Sequence, residues 1–473
     1  MPSLLMCAAK LDFVSRRISR ASIAYSLLLA VVAATAQQLP PRDNKKLLAP
    51  TPPMGWNSWD SYGETVTEPD IRANAAWMAE HLKSYGWQYI VVDEGWYVTN
   101  QSARPAGAAA EFTLDAYGRY IPAANTIPSS ENGAGFKPLG DYIHSLGLKF
   151  GIHILRGIPK EAVAKNLPIA GTRFRAKAAA DVSDSCPWNT YNYGVKAGSP
   201  AAQAYYDSIA KLYADWGVDF LKVDCISSHP YKGDEIRMLS EALHKVRRPI
   251  VLSLSPGPAP LDKAAELSRY SQMWRISDDV WDVWYSDKDF PQGVGNQFAR
   301  AAKWASSSGP GHWPDADMLP LGRLEPVAGW EKPRTTRLTH DEQRTLLTLW
   351  SIFRSPLIMG GNLTLCDEWT QSALTNAELI GVDQHSTGSH AVISTDKAAI
   401  WLSTPESGDG AFVAVFNLDT APQSIHYSWK DLGLKRSKYT LRDLWDHEDL
   451  GSKEFVDVTL PAHGSAIYWA SEK

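Results

Sequence analysis

The 473-residue chain is poor in cysteine, with four in all, and none stands in a C-x-x-C or His-x-x-x-His arrangement, so a structural zinc site has no ligand set. No dense run of Lys or Arg appears in the part expected to fold, and the formal net charge is −5, which argues against a nucleic-acid partner. Beyond the first 36 residues no apolar stretch approaches the ~20 residues that a spanning helix needs. There is no G-x-S-x-G elbow, no Walker-type Gly-rich loop and no dinucleotide fingerprint, and Gly293-Val-Gly295 is too small a fragment of one to count. Serine-hydrolase, nucleotide-hydrolase and nicotinamide chemistry therefore lack their usual carriers. No repeat of 20 to 50 residues is visible, which excludes a solenoid.

What is present is a globular composition, 44% hydrophobic and 21% charged, sufficient to bury a large core. The 19 Trp are a surplus that serves either flat apolar ligand faces or core packing. Residues 1–36 read as a signal peptide: Lys10, Arg16, Arg17 and Arg20 precede an apolar stretch from Ile23 to Ala34, and Ala34-Thr35-Ala36 is an A-x-A cleavage pattern. The mature chain is expected to begin near Gln37 and to be secreted or periplasmic. Residues 37–50, with three Pro and a polar cluster, read as a linker. Removal of Cys7 with the leader leaves Cys186, Cys225 and Cys366, enough for one disulfide and one thiol.

After the linker a strand-then-helix rhythm begins. Eight short apolar, β-rich runs, at 54–56, 89–93, 149–154, 220–224, 250–254, 273–277, 312–319 and 356–360, alternate with helix-like stretches. That alternation predicts a (β/α)₈ TIM barrel over 51–387. From about 388 to 473 short strands and turns follow without a convincing helix, which predicts a small C-terminal antiparallel β-sandwich.

In such a barrel reactive groups gather where strands end, and polar residues close several of these runs. Asp93 and Glu94 end the second, Lys222 and Asp224 the fourth, and Arg275, Asp278 and Asp279 the sixth. Residues two apart on a strand share a face, so Lys222 and Asp224 are expected to point together into the barrel mouth, the ammonium keeping Asp224 ionised. An ionised carboxylate that attacks an anomeric carbon and a second carboxyl that keeps its proton are the two parts of a glycosidase. Neither a metal nor another cofactor is expected.

With these residues in view, the chain resembles glycoside hydrolase family 27, the α-galactosidase or melibiase family, over roughly 51–470. Thr51 to Trp59 (TPPMGWNSW), Leu221 to Asp224 (LKVD) and Pro314 to Leu319 (PDADML) look like three of its motifs, in order. The resemblance implies a retaining exo-glycosidase for terminal α-D-galactose, with Asp224 as nucleophile and Asp279 as acid/base. Arg275, Asp279, Asp282 and Trp284 reproduce the family's spacing and favour Asp279 over Asp278. It further implies Trp56 stacking on the sugar, Asp93 and Glu94 binding the hydroxyls at C4 and C6, and Lys222 and Arg275 holding neighbouring hydroxyls and the nucleophile. An oligosaccharide or polysaccharide is the implied partner.

Three positions depart from the family pattern. Many α-galactosidases end the second strand Asp-Asp; here Glu94 carries a carboxylate one methylene further into the place of the sugar's CH₂OH, which raises a β-L-arabinopyranoside, the galactoside without C6, as the runner-up to the α-D-galactoside. His153 stands where Tyr is usual. Ser255 replaces a Glu near the 2-hydroxyl and opens the alternative of an α-N-acetylgalactosaminide. By resemblance, Cys186 and Cys225 form a bridge that orders the loop carrying Trp188, and Cys366 stays free. A carbohydrate-binding barrel without catalysis is the remaining alternative, and the presence of both Asp224 and Asp279 weighs against it.

Overall fold

The computed structural model describes residues 47–101, 109–325 and 332–472. The expected signal peptide and most of the linker lie outside the described residues. Eight parallel strands form one curled sheet: β1 (Met54–Asn57), β2 (Tyr89–Val92), β3 (Lys149–Leu155), β4 (Phe220–Asp224), β5 (Val251–Leu254), β6 (Met273–Arg275), β7 (Trp313–Asp315) and β8 (Leu357–Met359). Their spatial order is β7-β6-β5-β4-β3-β2-β1-β8, so each strand lies beside its neighbour in sequence and β8 returns to β1. Beyond β7 the chain makes a parallel bridge from Leu319 to Met359 of β8, with Leu319 N donating to Ile358 O at 2.8 Å. This joins the two sheet edges. Each strand overlaps one of the eight apolar runs of the sequence.

Strand periodicity sets the layers. Tyr89, Val91, Phe220, Val251, Met273 and Trp313 form an inner apolar cluster, while Ile90, Val92, Leu221, Val223, Leu252, Leu254 and Trp274 belong to the core shared with the helices. Continuing two residues at a time, the inner face passes from Phe220 to Lys222 and Asp224, from Val251 to Ser253 and Ser255, and from Met273 to Arg275. The barrel is therefore apolar at its base and ionic at its mouth. Gly55 keeps the base closed, since a Cβ there would lie 2.4 Å from Tyr89 O.

The helices start where the sequence supplies caps. Thr67 and Asp70 form a capping box for Glu68–His81, Ser199 accepts from Ala202 N at the start of Pro200–Trp216, and Thr339 with Glu342 caps His340–Phe353. Between β3 and β4 the chain makes an excursion through a three-stranded sheet of Ile158–Pro159, Ala180–Ser185 and Asn192–Val195. These strands are short and largely polar, so no apolar run announced them. No described helix is long and apolar enough to cross a membrane.

The C-terminal region is an antiparallel β-sandwich of a six-stranded and a two-stranded sheet. Its first strand, Ser386–Ser394, is followed by Ala398–Pro405 and Ala411–Asn417. Ala399, Trp401, Ala414 and Phe416 pack into the barrel's helical core, and the alternate Ile400, Leu402, Val413 and Val415 pack inside the sandwich. Both faces are covered, which explains why these strands read as continuous apolar runs.

Arg354, buried and left-handed at φ 65° just past His340–Phe353, fastens this junction. Its guanidinium donates to the carbonyls of Asp383, Gln384 and Ser386 and lies over Trp313. Arg354→Met leaves those buried carbonyls without donors and is expected to cost about 2–4 kcal/mol, read as a lowered midpoint in denaturant unfolding.

Candidate active site

The barrel mouth gathers seven carboxyl groups, Asp60, Asp93, Glu94, Asp224, Asp279, Asp315 and Asp317, around two cations, Lys222 and Arg275. Arg275 is buried and Lys222 partly so, and each is committed to particular oxygens. Lys222 Nζ donates to Asp93 Oδ2 at 2.7 Å, and Asn57 Nδ2 donates to the same oxygen at 2.6 Å. The other Asp93 oxygen accepts from Glu94 N at 2.8 Å. Burial alone would raise the Asp93 pKa, but the Lys222 charge and these bonds hold it well below the usual carboxylate range. Lys222 is raised in turn: desolvation opposes its charge, and the charge and hydrogen bond of Asp93 together with the charges of Asp317 and Asp279 outweigh it.

Arg275 bridges two acids. Its Nη1 lies 2.7 Å from Asp317 Oδ1 and its Nη2 3.1 Å from Asp279 Oδ1. Asp279, 35% exposed, stands at the rim, whereas Asp278 turns away to His229 at 3.0 Å. This geometry favours Asp279 over Asp278 as the acid facing the mouth. Asp317, at φ 88°, accepts from Val280 N at 2.7 Å and so ties β7 to the Asp279 loop. Burial raises its carboxyl above the usual range against the lowering effect of Arg275.

Asp224 ends β4 and is 13% exposed. Neither cation touches it in the structure, a correction to the expectation that Lys222 and Arg275 hold the nucleophile: Lys222 is taken by Asp93, Arg275 by Asp317 and Asp279. Its neighbours are the Trp188 indole, whose Nε1 donates at 3.2 Å, and His153 Nε2 at 4.0 Å. Burial lowers the His153 pKa, leaving a neutral imidazole. Glu94 is buried beside them; desolvation, then the charge of Asp224, raises its pKa well above the usual range. One Glu94 oxygen accepts from Asn189 Nδ2.

Trp188 and Asn189 arrive on the loop after Cys186, which is bridged to Cys225 with Cα atoms 6.0 Å apart; Cys366 is free. The bridge places the loop beside the residue following Asp224. Arg156 locks the same corner: its Nε donates to Cys225 O at 2.6 Å, and its remaining nitrogens pair with Asp184 and Glu235.

Trp56 is a correction. Gly55 and Asn57 take the inward positions of β1, so Trp56 faces the helices, fully buried, with its indole donating to Gly361 O at 2.9 Å. It offers no surface for stacking. Trp59 of the same motif is partly exposed, and Trp188 is 47% exposed at the mouth. Ser255 does reach the interior, lining a cavity with Asn57, Lys222, Ser253, Arg275 and Asp317.

Asp60, Asn189 and Asp317 gave no separate signal in the sequence. Asp60 sits in the short helix Trp59–Tyr62, its carboxyl packed where a Cβ on Gly360 would stand, and its Oδ2 is buried without a hydrogen bond. Donor atoms of Glu94, His153 and Asp224 lie within 4.8 Å of one another, a set chemically able to take a divalent cation. The chemistry of paired carboxylates requires no ion there.

A parallel α/β barrel whose mouth holds two separately supported carboxyls, flanked by exposed indole rings, defines a carbohydrate-cleaving hydrolase. Residues 188–385 match the family profile described as "Alpha galactosidase A", and residues 395–470 that described as "Alpha galactosidase C-terminal beta sandwich domain". A family 27 β-L-arabinopyranosidase from Geobacillus stearothermophilus is 48% identical, superimposes with a TM-score of 0.84 and aligns over 89% of this chain and 97% of its own. The α-galactosidase of Coffea arabica is 30% identical over 88% of this chain and 93% of its own length. The α-galactosidase A of Cellvibrio japonicus is 26% identical over 93% and 96%. The chain belongs to glycoside hydrolase family 27.

Asp60 yields a pH test. Burial, then the charge of Asp317, raises its carboxyl well above the ordinary value, so its stabilising contribution is present at acid pH and is lost as pH rises through the elevated value. Asp60→Asn cannot ionise. The Tm difference between variant and wild type is expected to move in favour of the variant from about pH 5 to about pH 8, and a pH-independent difference in thermal scans would contradict this.

Proposed function

We propose that this protein is an exported, retaining exo-glycosidase that removes terminal β-L-arabinopyranosyl residues. The observation that carries the substrate is Glu94. Its carboxyl, buried at the end of β2 beside Asp224 and held by Asn189, stands where the second Asp of the α-galactosidase pattern would leave room for CH₂OH. A pentopyranoside without C6 fits that corner without displacing a buried group. The 48% identity to a β-L-arabinopyranosidase supports the same reading. The α-D-galactoside, put first by the sequence motifs, is the second reading, favoured by the α-galactosidases at 26 to 30% identity. The α-N-acetylgalactosaminide is a third reading, opened by Ser255 and by a 43% identical Bacillus halodurans protein that carries the name of that activity.

In the proposed mechanism a carboxylate oxygen of Asp224 attacks the anomeric carbon while Asp279 protonates the departing glycosidic oxygen. A covalent glycosyl-enzyme forms and the aglycone leaves. Asp279, now ionised, takes a proton from water, whose oxygen attacks the same carbon and releases Asp224, so configuration is retained. Arg275 lies beside Asp279 as its charge appears. Residues 1–36 direct export, residues 51–387 carry the chemistry, and residues 388–473 buttress it.

The test is kcat/KM on p-nitrophenyl β-L-arabinopyranoside, α-D-galactopyranoside and α-N-acetylgalactosaminide. The arabinopyranoside is expected to lead by about tenfold or more, equal to ~1.4 kcal/mol, and Glu94→Asp to reverse the order. A galactoside preference in the wild type would overturn the substrate assignment. Asp224→Asn is expected to lose on the order of 10⁴-fold in kcat with little change in sugar binding, checked by turnover and calorimetric titration of the free sugar.

A further inference from the structure

We propose that Asn189 is a positioning residue that sets substrate specificity by holding Glu94 in the corner of the site. The Asn189 amide is buried and both its ends are engaged: Oδ1 accepts from Tyr191 N at 3.0 Å, which fixes the amide's orientation, and Nδ2 donates to Glu94 Oε1. The backbone that carries it is anchored on either side. Cys186 is bridged to Cys225, next to Asp224, and Asn192 Nδ2 donates to Arg156 O at 2.9 Å. Trp188 Nε1, the adjacent side chain, donates to Asp224 Oδ2. One loop therefore fixes the nucleophile with one residue and the specificity carboxyl with the next.

Glu94 needs such a support. Its side chain has three rotatable bonds, and the charges around it, Asp224, Glu64 and Asp93, repel it once it ionises. The Asn189 N–H is the side-chain donor that selects the rotamer occupying the CH₂OH corner. Without it the carboxyl is free to withdraw, and the corner opens to a hexopyranoside. This inference rests on the assignment of Glu94 as the group that excludes C6.

The experiment is a double-substitution cycle on the full chain, with Glu94→Asp as the second arm. Asn189→Ala removes both contacts; Asn189→Ser keeps a side-chain acceptor for Tyr191 N, as Ser does in such turns, but is too short to reach Glu94, and serves if the Ala variant does not fold. Each single substitution at Asn189 is expected to lower the arabinopyranoside-to-galactoside ratio of kcat/KM by about tenfold, chiefly through a lowered KM for the galactoside. In the Glu94→Asp background the same substitutions are expected to change the ratio little, because the carboxyl that Asn189 positions is already gone. Multiplying effects, or a ratio untouched by Asn189→Ser, would overturn the proposal. The wild-type ratio tests the substrate reading separately: a galactoside-preferring wild type that still shows the non-additive cycle would refute the arabinopyranoside and keep the Asn189–Glu94 coupling.

Discussion

The buried ion pair between Lys222 and Asp93, 2.7 Å apart, organises the site. Two strands that are not neighbours, β2 and β4, present their charged ends across the barrel interior, and Asp93 is sealed from water while Lys222 keeps only a small exposure. Such a pair adds little net stability over an apolar equivalent, but losing one partner strands the other at a cost of several kcal/mol. It serves the site by fixing charge. With Asp93 paired to its ammonium and Arg275 occupied by Asp317 and Asp279, no uncommitted permanent cation among the described residues neutralises the other buried acids. Burial then raises Asp60, Glu94, Asp315 and Asp317 together. Carboxyls raised in this way take up a proton more readily than ordinary ones, which lowers the cost of gathering them.

The β-sandwich is mechanically continuous with this arrangement. Asp279 opens a segment in which Asp282, fully buried, pairs with Arg334 and Arg337, and Trp284 stacks at 4.0 Å on His463 of the sandwich. His463 Nδ1 in turn meets Glu342 at 2.7 Å at the start of His340–Phe353. The rim carrying the candidate acid/base is thus supported from both sides, by Arg275 within the barrel and by the second sheet outside it. This explains why the Asp and Trp that follow Asp279 in the sequence pattern matter although neither faces the mouth.

The barrel was legible because its strands are short, apolar and regularly spaced, and the acids at their ends because period two carries an inward apolar residue on to an inward polar one. The same rule, applied to β1, would have turned Trp56 outward: Gly55 is inward because Tyr89 fills the base, and Trp56 follows as its opposite. Trp56 was instead assigned from its motif, and the motif does not specify the face. Asn189 was illegible for a different reason. Its partner lies 95 residues earlier, and the loop that joins them comes from an excursion whose strands are short and lack an apolar run. Asp60 carries no signal of its own in the sequence. Only the approach of Gly360 and the charges beyond it show that this carboxyl is enclosed.

The placement of the cations also bears on how a nucleophile can be reactive in so acidic a cavity. A carboxylate gripped by an ammonium is stabilised in its ground state and must give up that interaction to form a glycosyl ester, which raises the barrier to attack. As the proposed nucleophile, Asp224 avoids this cost because Lys222 is held on Asp93 and Arg275 on Asp317. Its remaining contact is one neutral indole N–H from Trp188, with a neutral imidazole at 4.0 Å. A single neutral donor orients an oxygen at about half the energy of a charged one, so the carboxylate is aimed without being quenched. Positive charge is thus placed where it balances the site, and neutral donors beside the proposed nucleophile.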